Sequence, residues 1–300
     1  MKRRHMRTLS VPALLIAIVV TNSIAEPADP SPSVRVSYIS FATLHTDKPF
    51  IEAGRLMVPR RAQGKVPAVL IVHASGGPTS NGPLMAEDLA KAGIATLEID
   101  MWAPRGLTGG PTSRPKRTTE TLPDAFGALK FLSSHPAIDP QRVGITGFSW
   151  GGRVSMLTAI KPLADKYGPE GLRFKGHVPF YPLCWTYNDT RRPEDLFKEL
   201  TLTGAPVFIQ GGELDTFDEP DTCQKLVDSL PETSRALVRL KMYPGATHGF
   251  DRTERELVIR DPGANLGKGG EVRMTPNPAV ASVARTATAK FFSEVFGLSK

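Results

Sequence analysis

The sequence predicts an α/β protein built on a doubly wound, mostly parallel sheet with helices on both faces. Segment 66–72 is too apolar for a half-exposed strand, which is typical of the centre of a parallel sheet. Strand-like and helix-like segments then alternate along the chain. A glycine–serine turn, 147–151, stands where one strand would meet the next helix. In a sheet of this kind, ligands bind beyond the carboxyl ends of the strands.

The elements follow one another in the order that such a sheet requires. We expect strands at 34–41, 50–58, 66–72, 94–99, 142–146, 177–181, 207–210 and 236–242, and helices at 83–92, 122–134, 152–160, 222–230 and from 277 onwards. The last helix has a good start, because Asn277 can cap it and Pro278 suits its first turn. Segment 251–275 is polar and contains glycine, so we expect a surface excursion there.

The chain has 300 residues, 40% of them hydrophobic, which is enough for one sizeable core but not for two large domains. We therefore expect a single domain over 34–300, preceded by a linker at 26–33. Residues 1–25 are interpreted as a signal peptide, because a basic start is followed by the apolar run 11–20 and by small residues at 23–25. That run is shorter than the roughly 20 residues of a membrane-spanning helix. We expect export to the periplasm or secretion, without stable membrane insertion after cleavage.

Charge and motif spacing limit the classes of partner. Cleavage after Ala25 would remove four cations and no acid, which lowers the formal charge from +7 to +3. Without that excess, the sequence offers little support for nucleic-acid binding. Segment 263–268 superficially resembles a phosphate loop, but its spacing is short and no strand precedes it. No histidine and carboxylate spacing indicates a metal site. We expect no cofactor and no metal, and the oligomeric state stays open.

The two cysteines are expected to pair. Cys184 and Cys223 each lie just beyond a predicted strand, at the same end of the sheet. An exported protein reaches a compartment where such a pair can oxidise. Two unrelated thiols are the alternative.

Ser149 is the candidate nucleophile. It lies between Gly147 and Gly151 at the corner between a predicted strand and a predicted helix. Such a corner holds the serine in a strained conformation, and a Cβ at either glycine would collide with the neighbouring element. The helix amino terminus behind it supplies free N–H groups and a partial positive charge, which suit an oxyanion. A purely structural glycine-rich turn is the alternative.

A serine hydroxyl needs a base, which an imidazole oriented by a carboxylate can provide. Asp215 follows the strand at 207–210, and His248 follows the strand at 236–242. The order serine, aspartate, histidine is typical of hydrolases with this turn. Taken singly, His248 could be a turn histidine and Asp215 a helix cap. Competing acids are Glu213, Asp218 and Asp251.

Two backbone amides are candidates for an oxyanion hole. The amide of Trp150, directly after the nucleophile, is the first donor. The second is expected from the loop after the central strand, where Ser75 or Ala74 would supply an N–H. We interpret His73, in the same loop, as structural rather than as a second base.

With these residues in place, the chain resembles the dienelactone hydrolase family of the α/β-hydrolase fold over residues 66–296. The segments that carry the resemblance are 72–77, 100–106, 147–152, 212–215 and 248–250. The resemblance implies a catalytic triad of Ser149, Asp215 and His248. It also implies an oxyanion hole formed by the amides of Trp150 and Ser75.

The chain departs from the type enzymes of that family at two positions. They carry a cysteine where Ser149 stands and a glutamate where Ala74 stands. Since that glutamate serves thiol activation, its absence argues for an ordinary serine mechanism and against dienelactone as the natural substrate.

Two residues are candidates for substrate binding. Arg105 lies in a loop comparable with the one whose arginine holds the substrate carboxylate in the family, although a solvated loop arginine is an equal alternative. Trp102 is expected to line an aromatic acyl pocket together with Trp150, Tyr181 and Trp185, with plain packing as the alternative.

The residues together predict an exported serine hydrolase that cleaves carboxylic esters through an acyl-enzyme, with a small-molecule ester as its partner. An acyltransferase would use the same triad but pass the acyl group to an alcohol or a sugar. A non-catalytic binding protein that retains the fold is the alternative from another class.

Overall fold

The computed structural model describes residues 33–60, 64–188 and 200–298. The expected signal peptide, 1–25, and residues 26–32 of the expected linker lie outside the described residues. From Ser33 onwards the chain groups into one compact unit. Within the described ranges, no helix has the length and apolar character needed to cross a bilayer.

One large sheet organises the molecule. Its strands are β1 (Val34–Ala42), β2 (Ile51–Pro59), β3 (Val66–Val72), β4 (Ala95–Ile99), β5 (Ile138–Phe148), β6 (His177–Phe180), β7 (Val207–Gly212) and β8 (Val238–Tyr243). They lie in the order β1-β2-β4-β3-β5-β6-β7-β8. Strand β2 is antiparallel to both of its neighbours, and every pairing from β4 to β8 is parallel. The predicted mostly parallel sheet is confirmed.

Helices cover both faces of this sheet. They are α1 (Asn81–Lys91), α2 (Leu122–Ser134), α3 (Trp150–Ala159), α4 (Lys161–Tyr167), α5 (Trp185–Asn188), α6 (Thr222–Ser229), α7 (Glu232–Arg235), α8 (Ala264–Gly267) and α9 (Pro278–Val295). All of β3 is buried. Its residues Leu70 and Val72 share a core with α2, α3 and α6, whereas Val69 and Ile71 share the other core with α1 and α9. Alternate side chains of this central strand therefore pack into the cores on the two faces of the sheet.

The start of α9 shows why local sequence was informative. The side-chain oxygen of Asn277 accepts a hydrogen bond from the N–H of Val280 at 3.2 Å, and Pro278 occupies the first helical position. Both residues satisfy or remove N–H groups that a helix amino terminus leaves unpaired. The expected cap is confirmed.

Segment 251–275 is more structured than we expected. It contains β9 (Leu257–Asp261) and β10 (Gly270–Met274), which pair as an antiparallel two-stranded sheet around α8. We call this unit the hairpin. A small buried cluster anchors it to the loops beside the large sheet; its members are Leu183, Trp185, Phe217, Ala264 and Val272. Such short strands carry too few apolar residues for their periodicity to stand out in a polar segment.

The predicted disulfide is present. Cys184, just before α5, is bonded to Cys223 in α6. The bond joins the loop after β6 to the helix after β7, both beyond the carboxyl ends of parallel strands.

Candidate active site

Ser149 lies between the end of β5 and the first turn of α3. Its backbone adopts φ 52° and ψ −104°, a region that residues with a Cβ rarely occupy. The elements around it approach so closely that a Cβ on Gly147 would overlap the Gly151 carbonyl, and one on Gly151 would overlap the Val72 carbonyl. The glycines therefore permit the corner that holds the serine in place.

The three predicted triad side chains meet. The Nε2 atom of His248 lies 2.8 Å from the Oγ of Ser149, and its Nδ1 lies 2.7 Å from the Oδ2 of Asp215. All three residues are buried. Because the carboxylate only accepts, Nδ1 carries the proton towards Asp215 and leaves Nε2 free to accept from the serine hydroxyl.

Aromatic rings hold the imidazole in this position. The ring of His248 lies between Tyr181, at 4.6 Å between centroids, and Phe217, at 4.5 Å. The hydroxyl of Tyr181 donates to Asp251 at 2.6 Å, and the N–H of Phe217 donates to Asp215 at 2.9 Å. Sequence reasoning missed Phe217, whose one signal was its place two residues after the candidate acid.

The competing acids have other partners. Asp218 accepts hydrogen bonds from the N–H groups of Cys184 and Trp185, each at 2.8 Å. Its burial, and then the nearby charge of Asp215, raise the pKa of Asp218 to about 7. Glu213 is exposed, and Asp251 receives the Tyr181 hydroxyl. Asp215 is the acid that bonds to the imidazole.

The two N–H groups that the sequence suggests as oxyanion donors are those of Trp150 and Ser75. Trp150 is the first residue of α3, so its N–H has no partner within the helix. The N–H of Ser75 has no acceptor among the described residues. Both residues border the space beside the Ser149 hydroxyl. The indole Nε1 of Trp150 donates to Thr121 at 3.1 Å, so that nitrogen is already paired within the protein.

Two cavities meet at Ser149. The apolar cavity, of about 210 Å³, is bordered by Ser75, Ser149 and His248 and lined by Pro111, Tyr181, Phe217, Leu257, Ile259 and Met274. The polar cavity, of about 240 Å³, is bordered by Ser149 and Trp150 and lined by Arg114, Lys116, Arg153, Trp185 and Asp261. A serine between two compartments can face both halves of one substrate.

The hairpin forms part of the wall of both cavities, which the sequence did not indicate. Leu257, Ile259 and Met274 face the apolar cavity. Asp261 lies in the polar cavity and forms an ion pair with Arg114 at 2.9 Å. The Arg114 guanidinium also lies 5.5 Å from the centre of the Trp150 ring, so this ion pair connects the hairpin to the residues around Ser149.

Neither predicted substrate-binding side chain lines these cavities. Arg105 forms an ion pair with the buried Asp124 at 2.9 Å, donates to the Met101 carbonyl at 2.8 Å and packs over Phe50. Its guanidinium is thus occupied in compensating a buried acid. Trp102 is also buried, and its indole N–H donates to the Ser75 carbonyl at 2.9 Å. We therefore assign both side chains to the support of the fold and of the loop at Ser75.

One group of described residues places three metal-ligand atoms near one another. The sulfurs of Cys184 and Cys223 and a carboxylate oxygen of Asp218 lie within 4.8 Å of one another. The sulfurs are joined in the disulfide, and a disulfide offers no thiolate to a metal.

Comparison with known proteins gives consistent matches. A sequence model described as the dienelactone hydrolase family matches residues 53–296. A putative carboxymethylenebutenolidase from Methylorubrum extorquens is 30% identical over 245 residues, covering 73% of this chain and 79% of that protein. A probable 2-oxo-3-(5-oxofuran-2-ylidene)propanoate lactonase from Bradyrhizobium sp. is 26% identical over 201 residues, covering 64% and 77%. Among solved structures, Thermogutta terrifontis esterase 2 phosphorylated by paraoxon matches with a TM-score of 0.63 and 16% identity, over 90% of this chain and 96% of that one.

Proposed function

This chain belongs to the dienelactone hydrolase family, and we propose that it is an exported serine esterase that cleaves small carboxylic esters through Ser149, His248 and Asp215. The observation that carries the proposal is the continuous hydrogen-bonded chain from the serine hydroxyl through the imidazole to the buried carboxylate. Such a chain can take the hydroxyl proton at the moment when the oxygen attacks.

In the first half-reaction, Oγ of Ser149 attacks the ester carbonyl carbon while its proton moves to Nε2 of His248. The carbonyl oxygen becomes an oxyanion, which the N–H groups of Trp150 and Ser75 stabilise. Asp215 stabilises the imidazolium. The C–O bond to the alcohol then breaks, and the leaving oxygen takes the proton from Nε2, which leaves the acyl group on Ser149.

In the second half-reaction, water attacks the acyl carbon and gives its proton to Nε2 of His248. The tetrahedral intermediate uses the same two N–H groups. Its collapse breaks the bond to Oγ of Ser149, which recovers the proton, and releases the carboxylic acid.

The cavity dimensions favour small substrates. The apolar cavity, at about 210 Å³, is smaller than the roughly 300–1,000 Å³ of typical ligand pockets. We therefore expect a short apolar group on that side of the ester and a more polar group in the polar cavity. Lactones are cyclic esters, so the lactonase and carboxymethylenebutenolidase names of the two relatives are compatible with this chemistry.

The test combines covalent labelling with turnover. Thermogutta terrifontis esterase 2 forms a phosphorylated adduct with paraoxon, which suggests organophosphorus probes for this chain. The wild-type protein should react with a fluorophosphonate at Ser149 and hydrolyse short p-nitrophenyl esters, whereas Ser149→Ala and His248→Ala should each lose nearly all turnover. A folded wild-type protein that neither labels nor hydrolyses any ester would contradict the proposal. Transfer to added alcohols in preference to water would replace it with an acyltransferase.

Export is supported by two independent features. Residues 1–25 have the composition of a signal peptide, and the Cys184–Cys223 disulfide fits an oxidising compartment. Expression of the full chain in a Gram-negative host should give a periplasmic or secreted protein that starts at Glu26. Amino-terminal sequencing checks this, and a protein that keeps Met1 and stays in the cytosol would refute it.

A further inference from the structure

His73 follows β3 and is buried next to the loop that carries Ser75. The hydrogen bonds of its side chain go to Ala74 and Met101, and its carbonyl accepts the N–H of Gly151 at 3.1 Å. We infer that His73 is a positioning residue, whose one N–H aims the Ser75 amide at the oxyanion. The inference rests on the proposed function and goes beyond it, because it assigns a task to a side chain outside the triad and the two donors.

The hydrogen bonds of His73 determine its tautomer. Its Nε2 receives the N–H of Met101 at 3.0 Å, and its Nδ1 lies 2.7 Å from the carbonyl oxygen of Ala74. A backbone N–H only donates and a carbonyl only accepts. Nε2 must therefore be unprotonated, and Nδ1 must donate to Ala74. Asp100 lies 3.6 Å from Nε2, but its carboxylate accepts the N–H groups of Trp102 and Ala103.

The Ala74 carbonyl belongs to the same peptide plane as the Ser75 N–H. The described residues contain no cis peptide bond, so the two groups point in opposite directions across a rigid unit. The Ala74 oxygen accepts from His73 and also from the N–H of Gly77 at 3.0 Å. Two donors thus hold the carbonyl edge of this peptide, and the Ser75 N–H leaves from the opposite edge. Ser75 borders the apolar cavity at Ser149, and we infer that its N–H is directed into that space.

The next peptide plane is held as well. The Ser75 carbonyl accepts from the N–H of Gly110 at 2.7 Å and from the indole of Trp102 at 2.9 Å. Since both planes that flank Ser75 are fixed, its amide cannot rotate freely when charge develops on the substrate. A hydrogen bond to the carbonyl of an amide also polarises that amide and strengthens its N–H as a donor.

This arrangement predicts a specific kinetic effect. The oxyanion exists only in the transition state and not in the bound ester. Loss of the His73 donor should therefore weaken the binding of the transition state by Ser75 more than the binding of the ester. A lost oxyanion donor typically costs 10²- to 10³-fold in kcat. Because misalignment retains part of the interaction, we expect His73→Ala to lower kcat by about tenfold to a hundredfold, with KM changed by less than about threefold.

His73→Asn serves as the rescue variant. Its amide nitrogen can take the place of Nδ1 and donate to Ala74, although it gives up the acceptor for Met101. We expect it to recover most of the kcat lost in His73→Ala. A trifluoromethyl ketone matched to the ester gives a second readout, because its hemiketal oxygen occupies the same site. Its Ki should rise in His73→Ala by about the factor by which kcat/KM falls.

His177→Ala is the matched control. His177 is a buried histidine at the start of β6, at the opposite end of the sheet from Ser149, and its Nδ1 donates to the Ser155 carbonyl at 3.0 Å. Its removal should lower the melting temperature but leave kcat and Ki per labelled site close to wild type. Rates in every variant are divided by the fraction of protein that labels with the fluorophosphonate, so unfolded molecules do not count.

The outcomes separate the two levels of inference. If wild-type protein hydrolyses esters but His73→Ala keeps wild-type kcat and Ki, the positioning role is wrong and the proposed function stands. The positioning role would also be wrong if His73→Asn lost as much kcat as His73→Ala. The same conclusion would follow if His177→Ala lost as much kcat as His73→Ala, because removal of any buried histidine would then explain the effect. If wild-type protein has no esterase activity, the proposed function itself fails.

Discussion

At the residue scale, two aspartates three positions apart in sequence differ in their hydrogen-bond partners. Asp215 accepts from the imidazole of His248 and from one backbone N–H, whereas Asp218 accepts from two backbone N–H groups. Both are carboxylates in the loop after β7. Their different partners place Asp215 against the imidazole of His248 and Asp218 against the backbone of the loop that carries the disulfide.

We expect Asp215→Asn to lower kcat by roughly 10³- to 10⁴-fold, because an amide in that position favours the wrong imidazole tautomer. Asp218→Asn is the matched change. The asparagine oxygen can still accept one of the two backbone N–H groups that Asp218 binds, so kcat should fall by less than about tenfold. Steady-state kinetics on a short ester tests both variants, with labelled-site correction. If both variants lost kcat equally, the expectation that Asp215 alone orients His248 would be wrong.

The hairpin is the element that shapes the site without supplying a catalytic group. β9 and β10 together contribute three apolar residues to the lining of the apolar cavity, whereas Val258, between two of them in sequence, is exposed and does not line it. The period of two along a strand separates these roles. Under the proposed function, we therefore expect the hairpin to limit the size of the substrate group that enters the apolar cavity.

Met274→Ala should widen the apolar cavity and shift the preference towards longer chains. One methylene in an apolar pocket is worth about 1–3 kcal/mol, so the ratio of kcat/KM for hexanoate over acetate esters should rise by roughly tenfold or more. Val258→Ala is the control, since its side chain faces solvent on the same hairpin. A ratio that stays constant in Met274→Ala would mean that the acyl chain binds elsewhere.

The disulfide stabilises a second element, the pair of loops beyond β6 and β7. Its two cysteines are 39 residues apart, and closing such a loop contributes up to about 4 kcal/mol in the chain-entropy model. The double variant Cys184→Ser/Cys223→Ser should lower the free energy of unfolding by about 2–4 kcal/mol in urea titrations. Reductant should destabilise the wild type by a similar amount and leave the double variant unchanged. A wild type whose free energy of unfolding does not change with reductant, and equals that of the double variant, would contradict this role.

At the scale of the whole molecule, the buried acid Glu52 is expected to contribute to the pH dependence of stability. Glu52 on β2 is completely buried, and among the described residues its side-chain oxygens have no hydrogen-bond partner. Burial, with a further contribution from Asp124, raises the pKa of Glu52 from 4.5 to about 9. The folded protein therefore keeps this proton up to about pH 9, while the unfolded chain loses it near pH 4.5. This group makes the folded state less stable as pH rises between those values.

Glu52→Gln should remove that dependence. The amide has nearly the same shape and does not titrate, so the variant should gain stability over the wild type by up to about 1.4 kcal/mol for each pH unit within the window. Urea unfolding of both proteins near pH 5, 7 and 8.5 measures the difference, in which the other titrating groups cancel. A difference that does not grow with pH would show that Glu52 ionises in the folded protein.

Several parts of the fold and site were predictable because they depend on neighbours in sequence. The serine corner needs glycines two residues away on each side, and the cap of α9 needs Asn277 and Pro278. An uninterrupted apolar run predicts the burial of β3. The order of Ser149, Asp215 and His248 at three strand ends follows from the same local signals. Each of these features can be recognised within a few residues of chain.

Sequence by itself determined the alternation of elements, the mostly parallel sheet, the cysteine pair and the three candidate residues of the triad. Only the tertiary structure decided that Arg105 compensates Asp124 and that Trp102 supports Ser75. It alone placed Phe217 against His248 and the hairpin against both cavities. The physical reason is that these contacts join segments distant along the chain, where packing and the compensation of buried charge select the partner rather than local propensity.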